Sequence, residues 1–566
     1  SLLPAGTWLH TYSSRLQVDS LVADVHALAA DGSVVRFAKG ATADAWVSTE
    51  SGDTLNRTSA TDPTAVVWEL QRQWENTRET YDHNGKLLKI TARNGWMTSL
   101  VYNASGQLQS VSNAFGRQLG FTWDANGFLA TLTAPGGDIT RYTHDTQGNL
   151  LTVTWPDGNI KRYHYEDGRF PRALTGITDE TGQRIGSYTY DAQGRVSETQ
   201  RASGVDRLQF SYGQDVSGAP QTTITDFSTG TPTTRTHRFT LQGRVLRPAG
   251  ASAPCPLCGS TAQAITYDEA GRKLRELQHD GSVVFYKYNE RGLETERATF
   301  PASFATATTR PGLARATSVV STQWHATWSL PRTVAEPSRL SEYTYNQRGI
   351  TSLTTRSTTD TTGAAKFTAT PTGPVSTTEY NYNAQHLNTR ITELTDGVQS
   401  QQWTLAYNEL GDLTRITEVT KAQSATISQY TSDGRVLRGK TDQGVDISIT
   451  YSLRGAITQI TRGTQTVRFA YNPAGSLIQV RTPDNQVIDY VLDAAQSVID
   501  MRLNGVSITP QMLTQADYPD TVLKAHLAMA RQWLTTLSTT DITGARKSSG
   551  ADQIHGELQT LPHVLG

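Results

Sequence analysis

The sequence predicts an all-β fold of antiparallel β-hairpin repeats, about 21 residues each, followed by a short C-terminal helix. Three observations carry this. An aromatic ring or histidine recurs at Tyr81, Tyr102, Trp123, His144 and Tyr165, each 21 residues after the one before. In the first four copies the next residue is Asp or Asn, with a glycine three residues further on. An Asp or Asn side chain there accepts a backbone N–H and opens a type I turn, and the glycine takes the left-handed conformation that closes it. Finally, aromatics fall at i and i+2 in "GFTWD", "RYHYE", "SYTYD" and "FYKYN", so one face of each strand carries them.

Residues 1–60 read as an opening β segment, from "GTWLHTYSSRL" and "DGSVVRFAKG". Residues 61–250 form a first repeat block. Its corners and strand ends are Tyr81, Asp82 and Gly85; Tyr102, Asn103 and Gly106; Trp123, Asp124 and Gly127; Asp145 and Gly148; Tyr165; and Tyr190, Asp191 and Gly194. A second turn alternates with these at Gly95, Gly116, Gly137 and Gly158, again 21 residues apart. Each unit is therefore two short strands and two turns, a meander.

Residues 251–262 are a Cys/Pro/Gly loop. Residues 263–505 form a second block, with Tyr267, Asp268 and Gly271, Tyr288, Tyr345 and Gly349, Tyr382, Tyr407, Tyr430, Tyr451, and Tyr471 and Gly475. The Thr-rich stretches 217–236 and 357–378 read as longer hairpins, because Thr is β-branched and suits strands. In the helical and irregular segment 506–566, Val522, Leu523, Leu527, Trp533, Leu534 and Leu537 lie broadly on one side of a helix expected over 518–539, a cap or a docking element. A lone hairpin is marginal in water, so the units must stack.

Composition narrows the function classes. Lys and Arg (51) balance Asp and Glu (52), so no basic field points to nucleic acid. No run approaches the roughly 18 to 20 apolar residues of a membrane-spanning helix. The start at Ser1, without a leader, suggests a processed or excised piece of something longer. Cys255 and Cys258 stand in a C-x-x-C turn whose nearest histidines, His237 and His279, do not match zinc spacing. A local disulfide or free loop thiols are expected in place of metal or redox chemistry.

No nucleophile elbow, zinc-helix or phosphate-loop motif occurs. The acidic pairs Glu166/Asp167 and Asp179/Glu180 fall in expected turns, and His144 and His164 on strand faces. No catalytic residue, metal or cofactor is assigned.

The Tyr-Asp-x-x-Gly-x-Leu units over about residues 60 to 505 resemble the RHS/YD-repeat family: bacterial polymorphic toxin shells, Tc toxin C-components and teneurins. The passage "TQWHATWSLPRTVAEPSRLSEYTYNQRG", from Thr322 to Gly349, resembles the Trp-His…Leu-Pro…Glu-Pro signature of bacterial members. The resemblance implies a strip spiralling into a hollow cocoon, a structural and non-enzymatic shell that encapsulates a toxin polypeptide before release. It further implies the toxin cargo or a neighbouring shell segment as partner, a secretion-apparatus or surface partner, and a secreted or cell-surface location. The DPxG segment through which such shells cleave themselves is not found, since the one Asp-Pro pair is Asp62-Pro63. The rival expectation is an adhesion module that presents rows such as Trp123, Trp155, Trp324 and Trp328 to carbohydrate or protein.

Overall fold

The structure, a computed structural model, describes residues 8–18, 24–42, 44–48, 51–58, 67–228, 230–242, 245–254 and 262–507. Cys255, Cys258 and the helix expected over 518–539 lie outside the described residues.

Two long antiparallel sheets make up the described chain. The first has 22 strands, from Arg15–Val18 to Val245–Ala251; the second has 21, from Ala264–Tyr267 to Val506–Ser507. Each strand pairs with the strands before and after it in sequence, as Thr77–Tyr81 pairs Leu87–Thr91 and Leu87–Thr91 pairs Met97–Tyr102. The tight corners dictate this, because a turn of a few residues can only return the chain antiparallel beside the strand it left.

The Asp82 corner shows the local physics. Gly85 N–H donates to the Asp82 carbonyl (3.0 Å) and Asp82 N–H to the Lys86 carbonyl (2.9 Å). The Asp82 carboxylate accepts the N–H groups of Asn84 (2.9 Å) and Lys86 (2.8 Å), and Gly85 sits at φ +79°. A one-residue register shift then sets Tyr81 opposite Leu87, a bulge that tightens the twist. Asp124, Asp145 and Asp191 use their carboxylates in the same way, and Asn103 its side-chain carbonyl. Gly106, Gly127, Gly148, Gly194, Gly271 and Gly475 are left-handed too.

Two units differ from the sequence expectation. The Tyr345 corner is one residue shorter, pairing Tyr345 with Ile350, and Gly349 is not left-handed there. What demands glycine at 349 is space, since a Cβ would stand 2.4 Å from the Tyr382 hydroxyl. Tyr165 lies past the end of the strand Ile160–His164, and no short corner follows. The chain makes an excursion through two turns, closed by Phe170 N–H to Asp167 O and Ala173 N–H to Phe170 O, before the strand Gly176–Thr178.

The Thr-rich zones are partly strand: Pro220–Asp226 and Thr233–Gln242 in the first sheet, and Ile350–Thr358 and Pro371–Tyr382 in the second, these last two joined by a loop with a 3-10 turn at Lys366–Thr368. The two sheets meet end to end where Ala251 N–H donates to the Ala262 carbonyl (2.9 Å).

The faces of the strands differ. In the second sheet Ile391, Leu405, Ile427, Ile447, Ile460 and Val480 pack with Tyr430, Tyr451 and Phe469 on one face. On the opposite face Thr404 pairs Thr417, Ser448 pairs Thr461, and Gln459 pairs Arg468. Ile460 is 1% exposed although every member of its cluster comes from the same sheet. Side chains on one face of a flat sheet cannot cover one another so fully, so the sheet curls toward its apolar face. Along residues 129–201 of the first sheet, by contrast, both faces are mostly half-buried.

Candidate functional site

The repeat aromatics do their work at the ribbon's open side. The strands Leu87–Thr91 and Met97–Tyr102 are joined by a turn at Gly95, and the last rung of their ladder toward the Asp82 corner is Lys89 with Ser99. No turn holds them together beyond that rung. The Tyr102 hydroxyl closes the gap, donating to the Leu87 carbonyl at 2.7 Å.

The same bond recurs as Tyr212 to Val196 (2.7 Å), Tyr288 to Lys273 (2.9 Å), Tyr345 to Pro331 (2.9 Å), Tyr451 to Val436 (2.8 Å) and Tyr471 to Ile457 (2.8 Å). Tyr190 reaches Leu174 (2.5 Å), and Tyr267 reaches Pro248 (2.6 Å) across the junction between the sheets. Trp123 substitutes an indole N–H, donating to Leu108 at 2.7 Å. Tyr81, in the first copy, instead donates to the Glu79 carboxylate. Tyr165 accepts the Trp8 indole N–H (3.0 Å), which draws the opening segment over the sheet, where His10 tilts against Phe121 at 5.9 Å. Burial holds the hydroxyls protonated: it raises Tyr102, helped by nearby Asp82, to about 12, and Tyr288 and Tyr451 likewise to about 12.

The alternate turns of the first sheet meet the tyrosine-bearing corners of the second. Gln73 donates to the Arg291 carbonyl (2.7 Å) and Trp96 to the Gln385 carbonyl (2.8 Å). Arg117 grips Asp412 through two bonds of 2.8 Å and donates to the carbonyls of Leu410 (3.1 Å) and Ser432 (3.0 Å). Arg454 pairs with Asp157 (2.7 Å) and Glu180 (3.4 Å), and Gln496 donates to Asp179 (3.2 Å). Corner glycines permit this closeness, since a Cβ on Gly411 would stand 2.9 Å from the Phe115 ring.

These contacts advance in one direction along both sheets: 73 meets 291, 117 meets 412 and 179 meets 496. A hairpin-like fold-back would run them in opposite directions; only a winding ribbon keeps the order. The separation grows along the seam, from 218 residues between Gln73 and Arg291 through 295 between Arg117 and Asp412 to 317 between Asp179 and Gln496.

The candidate catalytic groups are all engaged structurally. Glu166 bonds Arg184 (3.0 and 2.8 Å), Asp167 bonds Arg169 (2.7 Å), and Asp179 caps its turn through the N–H groups of Thr181 and Gln183. His144 packs on Phe128 at 5.3 Å and burial lowers its pKa; His164 contacts the Thr178 hydroxyl at 2.7 Å. Among the described residues no group of three His, Cys, Asp or Glu side chains could hold a metal, and no helix is long and apolar enough to cross a membrane.

The tryptophan rows of the adhesion expectation are tied into the wall. Trp155 donates to Glu180, Trp324 to the Glu294 carbonyl (2.8 Å), and Trp328 lies between His325 (4.2 Å) and the Arg93 guanidinium (4.4 Å). The seam residues Arg117, Asp412, Arg454 and Gln496 escape sequence reasoning, because they occupy variable corner positions and their partners lie hundreds of residues away.

The sequence profile described as Teneurin YD-shell matches residues 47–178 and 313–513. None of the curated proteins compared matches the chain. Among solved structures, the crystal structure of TcdB2-TccC3-Cdc42 is 14% identical over 88% of this chain, with a TM-score of 0.35. The Photorhabdus luminescens Tc holotoxin pore is 14% identical over 85%, with a TM-score of 0.36. The chain spans about 30% of the length of these matched chains.

Proposed function

The chain belongs to the Teneurin YD-shell family, and from that premise we propose that it is the wall of a bacterial toxin-delivery shell enclosing a polypeptide cargo before release. The same-direction seam carries this reading. A ribbon that meets its own earlier wind, corner against corner, seals sideways as it advances. The half-buried faces of much of residues 129–201 support it as well, because a wall between two spaces is covered only in part on either side. The cargo is a toxin polypeptide or a neighbouring shell segment, and the shell is secreted or held at a cell surface. Its role is containment without catalysis.

Electron microscopy of the purified chain tests this reading, joined to protease digestion of a polypeptide fused to its C-terminus. A central void well above the roughly 1,000 Å³ of a small-ligand pocket, together with survival of the fused polypeptide under digestion, is expected. A solid particle, or a fusion digested as fast as the free polypeptide, would overturn it.

A further inference from the structure

The second sheet contains a cavity of about 610 Å³ that the shell reading does not use. The strand register builds its floor: Lys287 pairs with Glu296 and Glu296 with Ser321, so three adjacent strands present these side chains in one row. Arg291, Arg332 and Lys366 complete the charged lining, and Trp324 supplies a flat apolar wall.

The charges do not balance. Glu296, 3% exposed, is the one acidic group in the lining, and it already has Lys366 at 2.5 Å and Arg310 at 3.1 Å. Lys287 stands 3.9 Å away as a third cation. Arg291 donates to the carbonyls of His325 (2.5 Å) and Thr327 (3.0 Å), which leaves its charge uncompensated by a carboxylate. Among the described residues Arg332 has no ion pair either. Ser321, 1% exposed, lines the same cavity with a hydroxyl that has no hydrogen-bond partner. Buried hydroxyls are ordinarily bonded, so this one is a donor available to an acceptor on a ligand.

We propose that this cavity binds a small, multiply charged oxyanion of the phosphate or carboxylate class, held by Lys287 and Arg332 and accepting a hydrogen bond from Ser321. Oxyanions supply what the lining lacks, negative charge and acceptor lone pairs together. A metal cation would be repelled, and a neutral sugar would leave the excess charge unanswered. The volume falls within the range of small-ligand sites. The inference is independent of the shell reading.

Calorimetric titration of the intact chain at low ionic strength tests it, with inorganic phosphate in one arm and citrate in the other. Saturable binding of at least one is expected, and the two arms separate phosphate from carboxylate preference. Lys287 is about half exposed and Arg332 is exposed, so Lys287→Ala and Arg332→Ala keep the fold, which an unchanged melting temperature without anion verifies. Each is expected to weaken binding roughly tenfold. Ser321→Ala is expected to weaken binding without lowering the anion-free melting temperature. Absence of saturable binding in both arms, or affinity unchanged in all three variants, would overturn the proposal.

Discussion

The Tyr102 hydroxyl donates to the Leu87 carbonyl at 2.7 Å, tying two hairpins together at the end where no turn connects them. Where this bond forms, a residue just after one corner supplies the carbonyl and the next unit's tyrosine supplies the donor, so that unit is stapled to the one before; Tyr81 and Tyr165 bond elsewhere. Tyr102→Phe keeps the ring and removes only the bond, so it should cost about 1 kcal/mol. Tyr212, Tyr288 and Tyr451 are staples in well-separated units, and the four substitutions together should cost roughly 4 kcal/mol in urea unfolding. A quadruple variant as stable as the parent would show that the ring alone carries the motif.

The same tyrosines make the fold sensitive to alkali. Burial first, and nearby carboxylates such as Asp82 second, raise the Tyr102 hydroxyl from 10 to about 12; Tyr288 and Tyr451 reach about 12 as well. A raised folded-state pKa favours the neutral phenol, so the stabilisation is complete below pH 10 and is lost as pH rises through 12. Melting temperature should fall steeply between these values, and the quadruple Phe variant should fall less. Parallel curves for parent and variant would refute the linkage.

Corner glycines share a backbone conformation but not their surroundings. At Gly116 (φ +87°) a Cβ would meet no atom within 4 Å, whereas at Gly85 (φ +79°) it would stand 2.1 Å from the Leu16 carbonyl oxygen. Gly116→Ala should cost about 1 to 2 kcal/mol, the left-handed penalty alone. Gly85→Ala must also displace the strand Arg15–Val18, whose Leu16 N–H donates to the Gly85 carbonyl at 2.9 Å. Faster protease cleavage near residues 15–18 is therefore expected in Gly85→Ala and not in Gly116→Ala; equal cleavage would contradict the contact.

The local half of this architecture is legible in the sequence because it is made by neighbours. Asp82 and Gly85 lie three residues apart and define a turn by themselves, and the alternation of Phe121 with Trp123 gives the strand. Gly349 misleads for the same reason: its spacing resembles a corner, while its actual constraint is the Tyr382 hydroxyl 33 residues away. The seam is invisible for a stronger reason. Arg117 follows a glycine like any solvent-exposed turn residue, and nothing local identifies Asp412 as its partner. The cationic cavity is similarly hidden, because only strand register brings Lys287, Glu296 and Ser321 into one row.

Opening the seam should be possible without unfolding either sheet. Arg117 and Asp412 keep only 13% and 7% of their side-chain surface exposed, so their two bonds are made largely out of water. Removing one partner from such a pair costs roughly 3 to 5 kcal/mol when the other is left bare. Asn408 still donates to Asp412 at 3.1 Å, which places Arg117→Ala at about the lower end of that range. The loss should appear locally. Hydrogen exchange should quicken at residues 113–118 and 408–434 together, though they are about 295 positions apart, and stay unchanged at the Asp268 corner. A double-mutant cycle with Asp412→Ala should give a coupling above about 1 kcal/mol. Exchange that quickens on one side only would mean that the two winds are not held corner to corner.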